Sequence, residues 1–94
     1  MELSERWLQK FEEEAFTSIY EWEDAPGTVY EAHAHKGRVS LFVTDGSVTF
    51  DISGEIKEVK AGERFDVPVG ITHSAVVGPL GWRVVVGEEI KGDS

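Results

Sequence analysis

Val39-Ser40-Leu41-Phe42-Val43-Thr44-Asp45-Gly46-Ser47-Val48-Thr49-Phe50-Asp51-Ile52 is the stretch on which the fold turns. Asp45-Gly46 divides two alternating runs, and a two-residue type I′ turn needs positive φ at both central residues, which Asp-Gly tolerates. A hairpin closed there pairs Thr44 with Ser47, Val43 with Val48, Leu41 with Phe50 and Val39 with Ile52. Val39, Leu41, Val43, Val48, Phe50 and Ile52 then share one apolar face. Ser40, Thr44, Ser47, Thr49 and Asp51 take the other face, interrupted only by Phe42.

The same period of two extends in both directions. Upstream, Phe16, Ser18, Tyr20 and Trp22 alternate with Thr17, Ile19, Glu21 and Glu23 until Pro26-Gly27, and a second strand is predicted from about Thr28 to His35. Downstream, short strands are predicted at about Ile56–Lys60, Arg64–Val67, Thr72–Val77 and Trp82–Val86. Ser53-Gly54, Ala61-Gly62, Pro68-Val69-Gly70 and Gly78-Pro79-Leu80-Gly81 punctuate them. Close, regular strands with Gly or Pro turns indicate an antiparallel sandwich or barrel, not βαβ units. The first residues differ: Leu3, Trp7, Leu8 and Phe11 recur at helical spacing, so a short helix capped by Ser4 and running to about Glu14 is expected. The chain thus divides into an N-terminal helix over residues 1–15, one barrel over 16–88 and a frayed tail over 89–94.

Composition bounds what this fold does. At 94 residues, 40% hydrophobic and 29% charged, the chain holds one globular core. Its formal charge of −9 argues against a nucleic-acid partner, since a phosphate backbone is repelled and no basic stripe offsets the field. Residues 1–24 carry eight acids against two bases, so most of the acidity lies at the N-terminus. The absence of cysteine removes disulfides, thiolate metal sites and a thiol nucleophile. The charged start and the lack of a long apolar run lead to the expectation of a cytoplasmic protein that neither enters nor binds a membrane.

The histidines fall in two places. His33 and His35 lie two apart on a predicted strand, so alternation turns both to one face while Ala32 and Ala34 point away. A third imidazole, His73, from a neighbouring strand would complete a facial set. Three neutral nitrogen ligands with open positions form a catalytic type of metal site.

These residues stand in a frame that resembles the cupin superfamily. Its first motif is matched by Gly27, five residues, His33-Ala34-His35, and Gly46; its second by Gly62, five residues, Pro68-Val69-Gly70, two residues and His73. The resemblance covers residues 27–77. It implies an all-β double-stranded β-helix, or jelly-roll barrel, and metal ligation by His33, His35 and His73. The ion implied is divalent: zinc, iron, nickel, manganese or copper. Two positions depart from the frame, because Val39 occupies the place of the motif glutamate and Val77 that of the motif asparagine.

With no carboxylate ligand the ion would keep its full charge, favouring an anionic or enolisable small molecule. The leading expectation is therefore a small metal-binding barrel acting on a small polar or anionic molecule, with dioxygenase- or isomerase-like chemistry. The competing expectation is a non-catalytic ligand-binding or sensor barrel, with or without metal. Glu31 shares the parity of the two histidines and could supply a carboxylate, or could be a solvated rim residue. Trp7, Trp22 and Trp82 read as core or interface, and Arg38, Arg64 and Arg83 as surface arginines. Glu12, Glu13 and Glu14 read as a solvated helix end. Phe16, Tyr20, Trp22 and Phe42 appear outward and suggest a homodimer.

Overall fold

β-Branched and aromatic residues at alternating positions build six strands after one helix in the computed structural model, which describes residues 2–89. They are α1 (Leu3–Glu13), β1 (Ser18–Asp24), β2 (Val29–His33), β3 (Val39–Ile52), β4 (Glu55–Lys60), β5 (Arg64–Val67) and β6 (His73–Glu88). All pairings are antiparallel. The later half of β6 lies between β1 and the first half of β3, which also pairs with β5. The earlier half of β6 lies between β2 and the second half of β3, which also pairs with β4. Two four-stranded layers therefore share β3 and β6, giving the jelly-roll barrel expected from the sequence. Of the tail expected over 89–94, only Glu89 falls within the described residues.

The Asp45-Gly46 hairpin is not formed. β3 runs through it unbroken, and Val39 pairs with Val67 and Glu88 instead of Ile52. Gly78 to Gly81 likewise lie inside β6 and do not separate two strands. Both segments are the place where paired strands bend together from one layer into the other. Thr44 is an extra residue against β6, and Gly78 to Gly81 lie opposite Ser47 alone. The inserted Thr44 reverses the inward parity just as a two-residue turn would. Val39, Leu41, Val43, Val48 and Phe50 consequently all enter the core, with Ile52 packed against it.

Gly46 makes this corner possible. Its φ is +74°, and a Cβ there would stand 1.9 Å from the Gly81 carbonyl oxygen. No side chain fits between the crossing backbones.

A second apolar cluster lies outside the barrel. Phe11, Phe16, Phe42 and Val85 are buried there with Trp7, Leu8 and Ile19 against them, and the Trp7 ring stacks on Phe42 at 4.3 Å. Phe42 interrupts the polar face of β3 because α1 covers that face. The outward apolar surface offered for a homodimer thus loses Phe16 and Phe42, which are 7% and 5% exposed.

The helix ends differ from expectation. Glu2, not Ser4, is the N-cap; Ser4 lies past the position from which a hydroxyl can serve the first amides, and the Glu2 side chain makes no cap bond. At the other end Ala15 adopts φ 67°, and the Phe16 and Ala15 amides donate to the Phe11 and Glu12 carbonyls at 3.2 and 3.0 Å. This is a Schellman closure with alanine in the usual glycine place. Glu12 and Glu13 are exposed as expected, but Glu14 is not merely solvated. Arg64 donates two bonds to its carboxylate, at 2.7 and 2.6 Å, and also reaches Ser40 and Asp66. That fork ties the helix end to β5 and holds the Glu14 carboxyl below its ordinary pKa, chiefly through the Arg64 hydrogen bonds. No helix among the described residues is long and apolar enough to cross a membrane.

Two outcomes follow from these contacts. Gly46→Ala, which adds left-handed strain to a clash with backbone, is expected to destabilise by about 3 kcal/mol or more, read from urea unfolding. Unchanged stability would mean the corner is not closed as described. Glu14→Gln is expected to be less stable than the parent near neutral pH. Because the folded pKa is depressed, the parent's advantage persists above about 4.5 and fades as pH falls below it through the folded value. Unfolding midpoints measured down to acid pH check this, and a gap that does not narrow contradicts it.

Candidate metal centre

Two local devices bring the histidines together. His33 ends β2 opposite His73, the first residue of β6, after a register shift between Tyr30 and His33. His35 lies beyond the end of β2, so simple alternation on one strand is not what aligns it. Its carbonyl instead accepts the Gly70 amide at 2.9 Å, which pins the loop after β2 to the turn before β6. The glycine of the second motif thereby positions a histidine of the first.

The three rings meet at one end of the barrel. Centroids of His33 and His35, His33 and His73, and His35 and His73 are 4.8, 4.6 and 5.2 Å apart. One ring nitrogen from each lies within 4.8 Å of the others. His33 is exposed, His35 half-buried and His73 buried, so the group opens toward a mouth.

Tautomers are set by the backbone. His33 Nδ1 lies 2.7 Å from the Glu31 carbonyl oxygen and His73 Nδ1 lies 3.3 Å from that of Ile71. A carbonyl only accepts, so each Nδ1 carries a proton, and in the neutral ring Nε2 is then the nitrogen that keeps a lone pair for the centre. His33 Nε2 and His35 Nε2 are 3.2 Å apart. Nitrogens about 2.05 Å from one ion would be separated by about 2.9 Å at a right angle and about 3.3 Å at the tetrahedral angle. The His33–His35 separation lies in that range, while the whole set spans up to 4.8 Å, so a shared ion would draw the rings closer. Burial, then the neighbouring His33 and His73, lowers the His35 pKa, against a smaller upward pull from Glu88. The neutral form that can ligate is thus favoured.

Below the rings lies a cavity of about 380 Å³, within the range of small-molecule sites. Val39, Leu41, Phe50 and Val67 line part of it, and Tyr20, Trp22, Tyr30 and Trp82 another part. Asp24 organises that aromatic wall: it accepts from Tyr30, from Trp82 Nε1 at 2.8 Å and from Trp22 Nε1 at 3.2 Å. Burial and the Asp24 bond push the Tyr30 hydroxyl up to about 12. A larger depression of about 610 Å³ adjoins the start of α1, but it gathers scattered acids and Arg83 and none of the three imidazoles.

Other residues singled out by sequence divide clearly. Glu31 is exposed and does not line the cavity; its contribution is its carbonyl. Arg38, Arg64 and Arg83 do not line it either. Arg38 lies 4.3 Å over the Phe16 ring, and Arg83 is 3.8 Å from Glu23. Trp7 packs half-buried against the outer cluster, Trp82 is buried in the barrel core and borders the cavity, and Trp22 borders the cavity at its exposed rim. Val39 does line it, brought there by pairing with Val67 and Glu88 and not by the expected hairpin. Glu88 was missed. It lines the cavity from the end of β6, and Tyr20 donates to its Oε1 at 2.8 Å. Only knowledge of strand pairing could have found it.

The family model described as "Cupin domain" matches residues 20–78. An RmlC-like cupin from Shewanella frigidimarina is similar at 26% identity and TM-score 0.66, with 80% of this chain and 68% of that chain covered. KdgF from a Halomonas species is similar at 21% identity and TM-score 0.65, covering 80% and 70%. DMSP lyase DddQ from Ruegeria pomeroyi is similar at 18% identity and TM-score 0.68, covering 81% of this chain and 39% of that one. No curated protein matches the sequence.

Proposed function

The chain belongs to the cupin family, and from that premise we propose that it binds a divalent metal through His33, His35 and His73 and acts on a small polar or anionic molecule. The observation that carries this reading is the convergence of three ring nitrogens within 4.8 Å, two of them with Nδ1 tied to carbonyls. A bound ion would supply Lewis acidity toward an oxygen of that molecule. The chain supplies the rest. Val39, Leu41 and Phe50 give the cavity an apolar wall, and the Tyr20, Tyr30 and Trp82 rings, fixed through Glu88 and Asp24, offer flat surface for orientation. Because one barrel architecture supports many activities, the reaction class has to come from turnover.

We further propose a homodimer. Its support is no longer Phe16 and Phe42, which pack under α1, nor Tyr20 and Trp22, which line the cavity, but the outer face of the layer away from α1, where Val29 and Val76 stand opposite each other in register. They are 64% and 47% exposed, and Ile56 on β4 is 63% exposed.

Chelator-free purification should give roughly one ion per chain by elemental analysis. Zinc at about a hundredfold over its Kd should raise the Tm by roughly 10 °C, and His35→Ala should abolish that shift. Turnover of small oxo- or hydroxy-acids by the loaded protein would establish an enzyme. Metal binding without turnover in that set favours the ligand-binding or sensor alternative. A protein that takes up no ion and shows no shift overturns the metal reading. Light scattering at micromolar concentration is expected to give twice the chain mass; a monomer mass refutes the dimer.

A further inference from the structure

Val39 occupies the position where the motif carries its carboxylate, and it does line the cavity. In the β3–β6 ladder the residue directly opposite Val39 is Glu88. Side chains opposite each other in an antiparallel pair leave the sheet on the same side, with Cβ atoms about 4.5–5.5 Å apart. Glu88 accordingly lines the same cavity as Val39 and the three histidines, and it is the one acid among the described lining residues.

The carboxylate is also held. Tyr20, opposite Val86 on β1, donates its hydroxyl to Glu88 Oε1 at 2.8 Å. The backbone beneath is fixed from both sides, because Glu88 pairs with Ser18 as well as Val39 and its carbonyl accepts the Thr17 amide at 3.0 Å. An acid placed on an inward wall beside valines is costly unless something positive offsets it. Imidazoles in the uncharged form that ligates a metal do not offset a carboxylate, but a divalent ion between them would. Conversely, an ion held only by neutral ligands beside an apolar wall lacks a compensating charge.

We propose that Glu88 is the acidic group of this metal centre, delivering from the end of β6 the carboxylate that the motif position on β3 lacks. The set of nitrogens within 4.8 Å of one another comprises His33, His35 and His73, with Glu88 outside it. Glu88 is therefore the charge partner of the centre, and Tyr20 positions it. This inference rests on the metal reading above.

The test is calorimetric titration of zinc chloride into the intact protein and three variants, with apo melting measured alongside. Glu88→Gln should bind zinc about tenfold or more weakly, the range found when outer partners of metal ligands are removed. Its apo melting temperature should be unchanged or higher, since the amide oxygen still accepts from Tyr20 and a charge beside valines has been removed. Tyr20→Phe keeps the carboxylate but frees it, and should show a smaller loss. Val39→Glu/Glu88→Gln returns the acid to the motif position and should recover affinity relative to Glu88→Gln. Equal zinc affinity in the parent, Glu88→Gln and Tyr20→Phe overturns the assignment while leaving the metal reading intact. A parent that binds no zinc removes the metal reading itself, and this assignment with it. Loss of folding in Glu88→Gln combined with parental affinity in Tyr20→Phe and no gain in the double variant would also overturn it.

Discussion

Two strands that hydrogen-bond along nearly their whole length must bend together or separate, and the pairing of β3 with β6 obeys that constraint. The shared bend turns one long ribbon into the middle of both layers. β6 thereby carries His73 at its first residue and Glu88 at its last, and both line one cavity. The remaining strands attach to the edges of this ribbon, and α1 covers one outer face. The crossing at Gly46 and Gly81 is so close that backbone touches backbone, which is why the corner carries glycine on both sides.

Much of this was legible in the sequence, sometimes for a reason that proved different. Alternation on both sides of Asp45-Gly46 correctly selected the inward residues. It did so because a one-residue bulge and a two-residue turn change parity alike, so periodicity cannot tell a bend from a reversal. The motif spacing brought out the three histidines. It was silent on how His35 is held, because the Gly70 amide that fixes it comes from a distant loop. Phe42 looked like an exposed exception because helix docking is not encoded in strand periodicity. Glu14 and Arg64 are fifty residues apart, and Glu88 meets Val39 only through ladder register. Local pattern reports which side a residue faces; it does not report its neighbour.

The electrostatic layout separates two jobs. Outside the barrel, charge is used in a fork between Arg64 and Glu14 that fastens the helix, partly shielded and paired. Inside, the polar groups are rings, hydroxyls and two acids that are both hydrogen-bonded: Glu88 accepts from Tyr20, and Asp24 accepts from three donors behind the aromatic wall. Among the described residues no buried side-chain nitrogen or oxygen lacks a hydrogen-bond partner. The net negative charge of the chain therefore does not come from unmet carboxylates in the core.

The carbonyl tethers on His33 and His73 bear on kinetics as well as geometry. Each acceptor lies two residues earlier in the same chain, at Glu31 and Ile71, so the proton's place on the ring is decided by local backbone as soon as the strand forms. Under the proposed metal binding, a cation arriving at the mouth would not have to wait for either of these two imidazoles to exchange tautomers or swing round. The ordering entropy of those two rings has already been met in folding, and capture would reduce to shedding water, orienting His35 and closing the remaining distance. In such an arrangement the rate of entry is governed by how readily the incoming ion loses its hydration shell, so ions of equal affinity would be sorted by their water-exchange lability.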